Sequence, residues 1–224
     1  MRIVAVADTH LFHRELEIPD GDVFVHAGDM CRGGDLEELR EVAAWLAGLP
    51  HRHKVVVAGN HDWAFVHEAA AARAALAGMV YLQDSEVMID GLRFYGSPWQ
   101  PAFHDWAFNL PRGPQLAAVW ARIPTGIDVL ITHSPPEGIG DRSPVGGRAG
   151  CADLTARIAI VRPRLHLFGH IHQDGGLWER QGIVFANATT WECERGPTVI
   201  DVDGRTVTPI LVPPHGRSDD SIFD

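Results

Sequence analysis

The chain has 224 residues, 46% of them hydrophobic and 21% charged, with a formal net charge of -10. That length is ample for a buried core, and the acidic balance excludes nonspecific affinity for nucleic acid or an anionic membrane. Three cysteines at wide spacing do not form a disulfide framework, whereas thirteen histidines direct attention to metal or acid-base chemistry.

Arg2 to Ala7 is a β-branched and alanine run that reads as a buried strand and ends in Asp8-Thr9-His10. Val23 to Ala27 is a second, ending in Gly28-Asp29. A helix follows, capped by Asp35, with Leu36, Leu39, Val42, Ala43 and Leu46 at helical spacing and Gly48 and Pro50 as its stop. Lys54 to Ala58 is a third strand, ending in Gly59-Asn60-His61-Asp62, and Ala64 to Ala77 reads as one helix stopped by Gly78. Asp90-Gly91 between two apolar runs predicts a hairpin, so antiparallel strands join a mostly parallel sheet.

An aromatic and proline-rich stretch follows at 97–112, then a helix over Pro114 to Arg122. A strand over Ile127 to Ile131 ends in Thr132-His133, and a Gly-rich loop runs to Gly150. Asp153 to Val161 reads as helix and Leu165 to Phe168 as a strand ending in Gly169-His170-Ile171-His172. Ile183 to Ala186, Thr198 to Val202 and Thr206 to Val212 complete the strands. Residues 1–212 read as one domain, with no repeat or linker, and 213–224 as a polar tail that frays. No apolar run approaches the roughly 18 residues of a membrane span. The N-terminus, broken by Asp8 and His10, is a poor signal peptide, so the cytoplasm is the expected compartment.

Five apolar runs thus end in metal-capable residues: Asp8 and His10, Asp29, Asn60 and His61, His133, then His170 and His172. Functional groups collect at the carboxyl ends of strands in such sheets. Carboxylates, an amide oxygen and imidazoles suit two divalent ions about 3.5 to 4 Å apart with one carboxylate bridging, an arrangement that generates hydroxide near neutral pH and holds phosphate oxygens. His61 is the candidate general acid for the leaving oxygen, and Asp62 its orienting partner.

These blocks match, in order and completely, the signature of the calcineurin-like metallophosphoesterases, and the chain resembles that family over most of its length. The resemblance implies an α/β fold in which a β-sandwich of two mixed sheets is flanked by helices. It implies one metal site of Asp8, His10, Asp29 and His172 and another of Asp29, Asn60, His133 and His170. Further stretches, Gly96 to Pro101, Asp105 to Gly113 and Thr132 to Pro136, are similar to the metallophosphoesterase-domain-containing branch. That branch resembles class III cyclic nucleotide phosphodiesterases and includes members that bind purine nucleoside monophosphates. Some vertebrate members carry Gly at the position of His170; this chain keeps the histidine, which implies a competent enzyme.

The expectation is therefore a dinuclear phosphohydrolase, a phosphodiesterase on a small nucleotide or other phosphoester. Manganese is the expected metal in vitro, and iron, zinc, cobalt or nickel are compatible. Nucleic-acid polymers and membranes are not expected partners, and the oligomeric state stays open. Two rival readings are a nucleoside-monophosphate-binding regulator with slow turnover and a phosphoprotein phosphatase. Candidate substrate contacts are Asn60, His61, Trp99 and Arg142; Phe103 and Trp106 share the aromatic stretch with Trp99, and Arg148 the loop with Arg142. His13, His51, His53 and His215 read as surface residues, and His26, His166 and Cys31 as packed ones.

Overall fold

The computed structural model describes residues 1–144 and 146–215. Its first half contains β1 (Arg2–Val6), β2 (Val23–Ala27), α1 (Leu36–Gly48), β3 (His53–Val57), α2 (Ala64–His67), α3 (Ala69–Ala75) and β4 (Val80–Tyr81). The second contains β5 (Ser85–Ile89), β6 (Leu92–Ser97), β7 (Gln100–Pro101), β8 (Asn109–Leu110), α4 (Pro114–Trp120), β9 (Val129–Thr132), α5 (Ala152–Val161), β10 (Leu165–Phe168), β11 (Gly176–Arg180), β12 (Ile183–Asn187), β13 (Thr198–Asp203) and β14 (Thr206–Leu211).

The strands form two six-stranded mixed sheets, ordered β14-β13-β1-β2-β3-β4 and β11-β12-β10-β9-β6-β5. Side-chain alternation along each strand builds the layers. Ile3, Ala5, Val25 and Val57 of one sheet meet Phe94, Val129, Leu167 and Ala186 of the other in a shared inner core. The alternate positions Val4, Val6, Phe24 and Val56 face α1 and α3 through Leu39, Val42, Leu46 and Ala72. Tyr95, Leu130, Phe168 and Phe185 face α4 and α5 through Leu116, Trp120, Leu154 and Ile158. Both faces of each sheet are covered, which is why the strands read as continuous apolar runs. The α/β/β/α layering follows as expected.

Asp35 caps α1, its side chain accepting from the Glu38 N–H at 2.9 Å, a bond worth about 1 kcal/mol. The helix expected from Ala64 to Ala77 is two pieces, because Glu68 leaves the helical region at φ −134°. The first turn is tethered away from the second by the bond from Ala64 N–H to the Gly34 carbonyl. β11 was not foreseen; it is an edge strand paired antiparallel to β12, with Glu179 and Arg180 exposed.

His13 and His51, expected at the surface, are buried. His13 packs on Trp45, and His51 on Phe24, with ring centroids 4.9 and 5.5 Å apart. The chain after Val212 does not fray at once: the buried Arg195 donates to the Pro213 and Pro214 carbonyls at 3.2 and 3.0 Å. Residues 216–224 lie outside the described part. Among the described residues, no helix is long and apolar enough to cross a membrane.

Candidate metal centre and its cleft

β1, β2 and β3 run parallel, as do β6, β9, β10 and β12. Parallel pairing puts their carboxyl ends at one edge, so a residue just past each strand is delivered to the same place. The two sheets are joined there: Ala7 N–H donates to the Ala188 carbonyl at 2.9 Å, and Thr190 N–H to the Ala7 carbonyl at 2.8 Å. Every candidate ligand follows one of these ends.

The turns that aim the ligands are strained. Asp8, His10, Asp29 and His170 have φ of 56°, 43°, 55° and 72°, in the left-handed region that non-glycine residues rarely occupy. Two glycines make the close approach possible. A Cβ on Gly59 would meet Asp29 Oδ1 at 2.2 Å, and one on Gly169 would meet Asp8 Oδ2 at 2.7 Å.

Among the described residues three groupings of donor atoms result: Asp8, His10 and His172; Asp29, His133 and His170; and His10, Asp29 and His61. Asp29 links the first two, its Oδ2 lying 3.8 Å from His10 Nε2 and 3.4 Å from His133 Nε2. His172 Nε2 lies 3.7 Å from Asp8 Oδ1, and Asn60 Oδ1 lies 2.9 Å from His133 Nε2.

Backbone carbonyls set the tautomers. A carbonyl only accepts, so the nitrogen facing it carries the proton. His10 Nδ1 donates to the Cys31 carbonyl at 3.2 Å, and His133 Nδ1 to the Ala27 carbonyl at 3.0 Å. Each ring therefore presents Nε2 to the centre. His10 and His172 bring their Nε2 atoms within 3.4 Å of one another. With His10 in this tautomer its Nε2 lone pair faces His172 Nε2, an approach that a shared proton or a divalent cation resolves. The donor set thus fits the metal that the motifs imply.

Burial alone would raise the Asp8 and Asp29 carboxyls, but His172 at the first and His133 at the second reverse this and hold both below the usual carboxylate range. Burial opposes the His133 imidazolium, yet Asp29 and then Asp8 push it up to about 9. Burial moves the His10 and His170 rings downward. Asp62 is pushed up to about 6 by burial and the Asp29 charge.

Contrary to the expectation from adjacency, Asp62 does not orient the His61 ring. Its carboxylate accepts from the N–H groups of Asp29, Met30, Cys31 and Gly59 at 3.1, 3.4, 2.9 and 2.7 Å, binding the loop after β2 to the loop after β3. The His61 ring is held instead by Nδ1 donating to the Arg32 carbonyl at 2.8 Å and by stacking on Trp106, with ring centroids 4.1 Å apart.

The groupings open on a cleft of about 650 Å³, lined by Asp29, Asn60, His61, His170 and His172 on its floor. Phe103, His104, Trp106 and Arg112 also line it, together with Arg148 and neighbouring residues of the Gly-rich loop. Two candidate contacts are not among the lining residues. Trp99 turns away and donates Nε1 to Asp84 Oδ2 at 2.8 Å. The Arg142 N–H donates to Asp174 Oδ2 at 2.8 Å, and its side chain is exposed outside the lining. His104 and Arg112 were not singled out from the sequence; an exposed His and an Arg in a polar loop carry no pattern to mark them.

The family model for the calcineurin-like phosphoesterases matches residues 1–174, a span that includes every candidate ligand. Metallophosphoesterase domain-containing protein 1 of Homo sapiens is 39% identical over 230 residues, covering 90% of this chain and 71% of the relative. UPF0046 protein K07C11.7 of Caenorhabditis elegans is 35% identical over 210 residues, covering 88% and 71%. Among solved structures, a Thermus thermophilus protein superposes with a TM-score of 0.65 at 14% identity, over 93% of this chain and 97% of the other. The phosphopantetheinyl hydrolase of Mycobacterium tuberculosis gives 0.58 at 14% identity, over 95% and 96%. These two likenesses concern the fold. On the sequence match, supported by the strand-end geometry, the chain belongs to the calcineurin-like phosphoesterase family of metal-dependent phosphoric ester hydrolases, and within it to the branch of the metallophosphoesterase-domain-containing proteins.

Proposed function

We propose that the chain is a dinuclear metal-dependent phosphodiesterase acting on a small organic phosphodiester such as a nucleotide. The observation that carries this reading is the place of Asp29, whose carboxylate lies between the His10 and the His133 imidazoles. Asp8, His10, Asp29 and His172 would hold one cation, and Asp29, Asn60, His133 and His170 the other; manganese suits this donor set in vitro. When bound, such cations neutralise phosphate charge and acidify the attacking water.

The residues do the rest. The Ala27 and Cys31 carbonyls keep His133 and His10 in the ligating tautomer. Asp62 keeps the loops of Asp29 and Asn60 in register. As the ester bond breaks, its electron pair goes to the leaving oxygen, and His61 gives that oxygen a proton from Nε2.

A diester is favoured over a monoester on charge. A monoester dianion asks for more positive charge than a diester monoanion. Among the described lining residues, Arg148 has its charge paired with Asp141 at 2.6 Å, which leaves Arg112, held by the Gly150 and Ala149 carbonyls at 2.6 and 2.8 Å, as the one arginine whose charge no carboxylate offsets. The cleft of about 650 Å³ also has room for two ester arms.

The test is a panel of bis(p-nitrophenyl) phosphate, p-nitrophenyl phosphate, and 2′,3′- and 3′,5′-cyclic nucleotides after reconstitution with each divalent metal. Diesters should be turned over faster than the monoester. A monoester preference with every metal would overturn the assignment.

A further inference from the structure

The loop between β7 and β8 is built to a purpose that the metal ligands do not explain. It is tied to itself: the buried Gln100 donates Nε2 to the Ala107 carbonyl at 3.1 Å and to Asn109 Oδ1 at 3.0 Å. Asn109 Nδ2 in turn donates to the Phe103 and His104 carbonyls at 2.9 and 3.2 Å. It is also tied to the metal centre, because the Ala107 N–H donates to the Asn60 carbonyl at 3.1 Å. The residue before that anchor is Trp106, and its indole lies on the His61 imidazole at a tilt of 33°.

His61 needs such a support. Its Nδ1 bond to the Arg32 carbonyl fixes one point of the ring. A single bond leaves the ring plane soft, since rotation about the last side-chain bond of histidine has broad minima. The edge of His10 stands against the ring at 4.6 Å and 78°, and Trp106 covers it at 4.1 Å. With Nδ1 engaged, Nε2 is the nitrogen left for the cleft.

We infer that Trp106 is a positioning residue for leaving-group protonation: with the Arg32 carbonyl it fixes the plane of His61 so that Nε2 meets the departing oxygen. This rests on the reading of His61 as the general acid. The proton passes from His61 Nε2 to the oxygen that has received the electron pair of the broken P–O bond; Trp106 takes no part in bond making.

The experiment compares wild type, His61→Asn, Trp106→Ala, Trp106→Phe and the double variant His61→Asn/Trp106→Ala. The probes are bis(p-nitrophenyl) phosphate, whose leaving group departs without a proton, and diphenyl phosphate, whose phenoxide gains from one. His61→Asn should slow diphenyl phosphate about 10²-fold and the nitrophenyl ester far less. Trp106→Ala should slow diphenyl phosphate about tenfold, in kcat and not KM, with the same selectivity. Trp106→Phe, which keeps a ring on His61, should restore most of that loss, and the double variant should be no slower than His61→Asn.

Independently of turnover, long-range ¹H–¹⁵N spectra should show the His61 Nδ1–H broadened by solvent exchange in Trp106→Ala. If His61→Asn discriminates between the esters but Trp106→Ala slows both alike or raises only KM, the positioning role is wrong and Trp106 is a wall for substrate. If His61→Asn itself does not discriminate, both readings fall. Should Trp106→Ala not fold, Trp106→Leu, which keeps bulk without a stacking face, applies the same criteria.

Discussion

The Nε2 atoms of His10 and His172 face each other at 3.4 Å although the two residues are 162 positions apart in the chain. His10 has already committed Nδ1 to the Cys31 carbonyl, so its Nε2 has no proton to offer when the ring is neutral. Two nitrogens so placed need a shared proton or a shared cation.

Removing the cations should destabilise the fold. The buried Asp8 and Asp29 carboxylates then keep the His170 and His61 backbone N–H groups and the facing imidazoles as partners, but no cation balances the crowded donor atoms. Protein dialysed against a chelator should melt lower, and manganese at a hundredfold excess over its Kd should restore about 2.7 kcal/mol. For a chain of this size that is a rise of about 5 to 10 °C in Tm. Identical melting curves with and without manganese would show that this edge does not hold a cation.

Asp29→Asn should remove the charge that lies between the His10 and His133 imidazoles while nearly preserving shape. Hydrolysis of bis(p-nitrophenyl) phosphate should fall by about 10² to 10³-fold, on the scale of losing one electrostatic stabiliser of the transition state. Metal content by mass spectrometry should fall as well. Wild-type turnover in this variant would refute the bridging assignment.

Asp62→Asn tests the carboxylate that accepts four backbone N–H groups. An amide offers one accepting oxygen and turns an NH2 toward the remaining N–H groups. Loss of charge-assisted bonds in a buried place costs about 2 to 4 kcal/mol, to be read from urea unfolding of the metal-free protein. Because Asp62 acts on the loops rather than on the His61 ring, the variant should slow nitrophenyl and phenyl esters by the same factor. Selective loss on the phenyl ester would restore the direct partnership with His61.

Acid should weaken the fold through His166. The ring is buried next to Thr132, its Nε2 lying 2.8 Å from the hydroxyl, and burial pushes its pKa down to about 3 from the ordinary 6.5. Between those values the unfolded chain carries the proton and the folded chain does not, so stability is complete above about pH 6.5 and is lost as the pH falls toward 3. The slope for one such group is about 1.4 kcal/mol per pH unit. Urea midpoints at pH 7.5 and 5 should therefore converge more in His166→Asn than in wild type. His26, pushed down to about 3 by burial, keeps its own share of the slope in that variant. An unchanged slope in His166→Asn would mean that the ring is protonated in the fold.

The layers and the candidate ligands were legible in the order of residues because both depend on local rules. Apolar runs such as Val23–Ala27 mark strands covered on both faces, and a polar residue after each run marks a strand end. Gly59 and Gly169 stand within these same strand-end motifs, where a side chain would strike the Asp29 and Asp8 carboxylates. What could not be read was which partner each polar group takes. Asp62 is adjacent to His61 in the chain, yet its oxygens reach backward to four amides on two loops, and the imidazole finds Arg32 and Trp106 instead. Trp99 and Trp106 belong to one aromatic stretch; Asp84 claims the first, and the anchor on Asn60 delivers the second to the cleft. His13 and His51 look like surface residues until Trp45 and Phe24 close over them. Strand ends are set by periodicity over a few residues. Side-chain partners are set by the packing of segments far apart in the chain, and only the assembled sheets decide it.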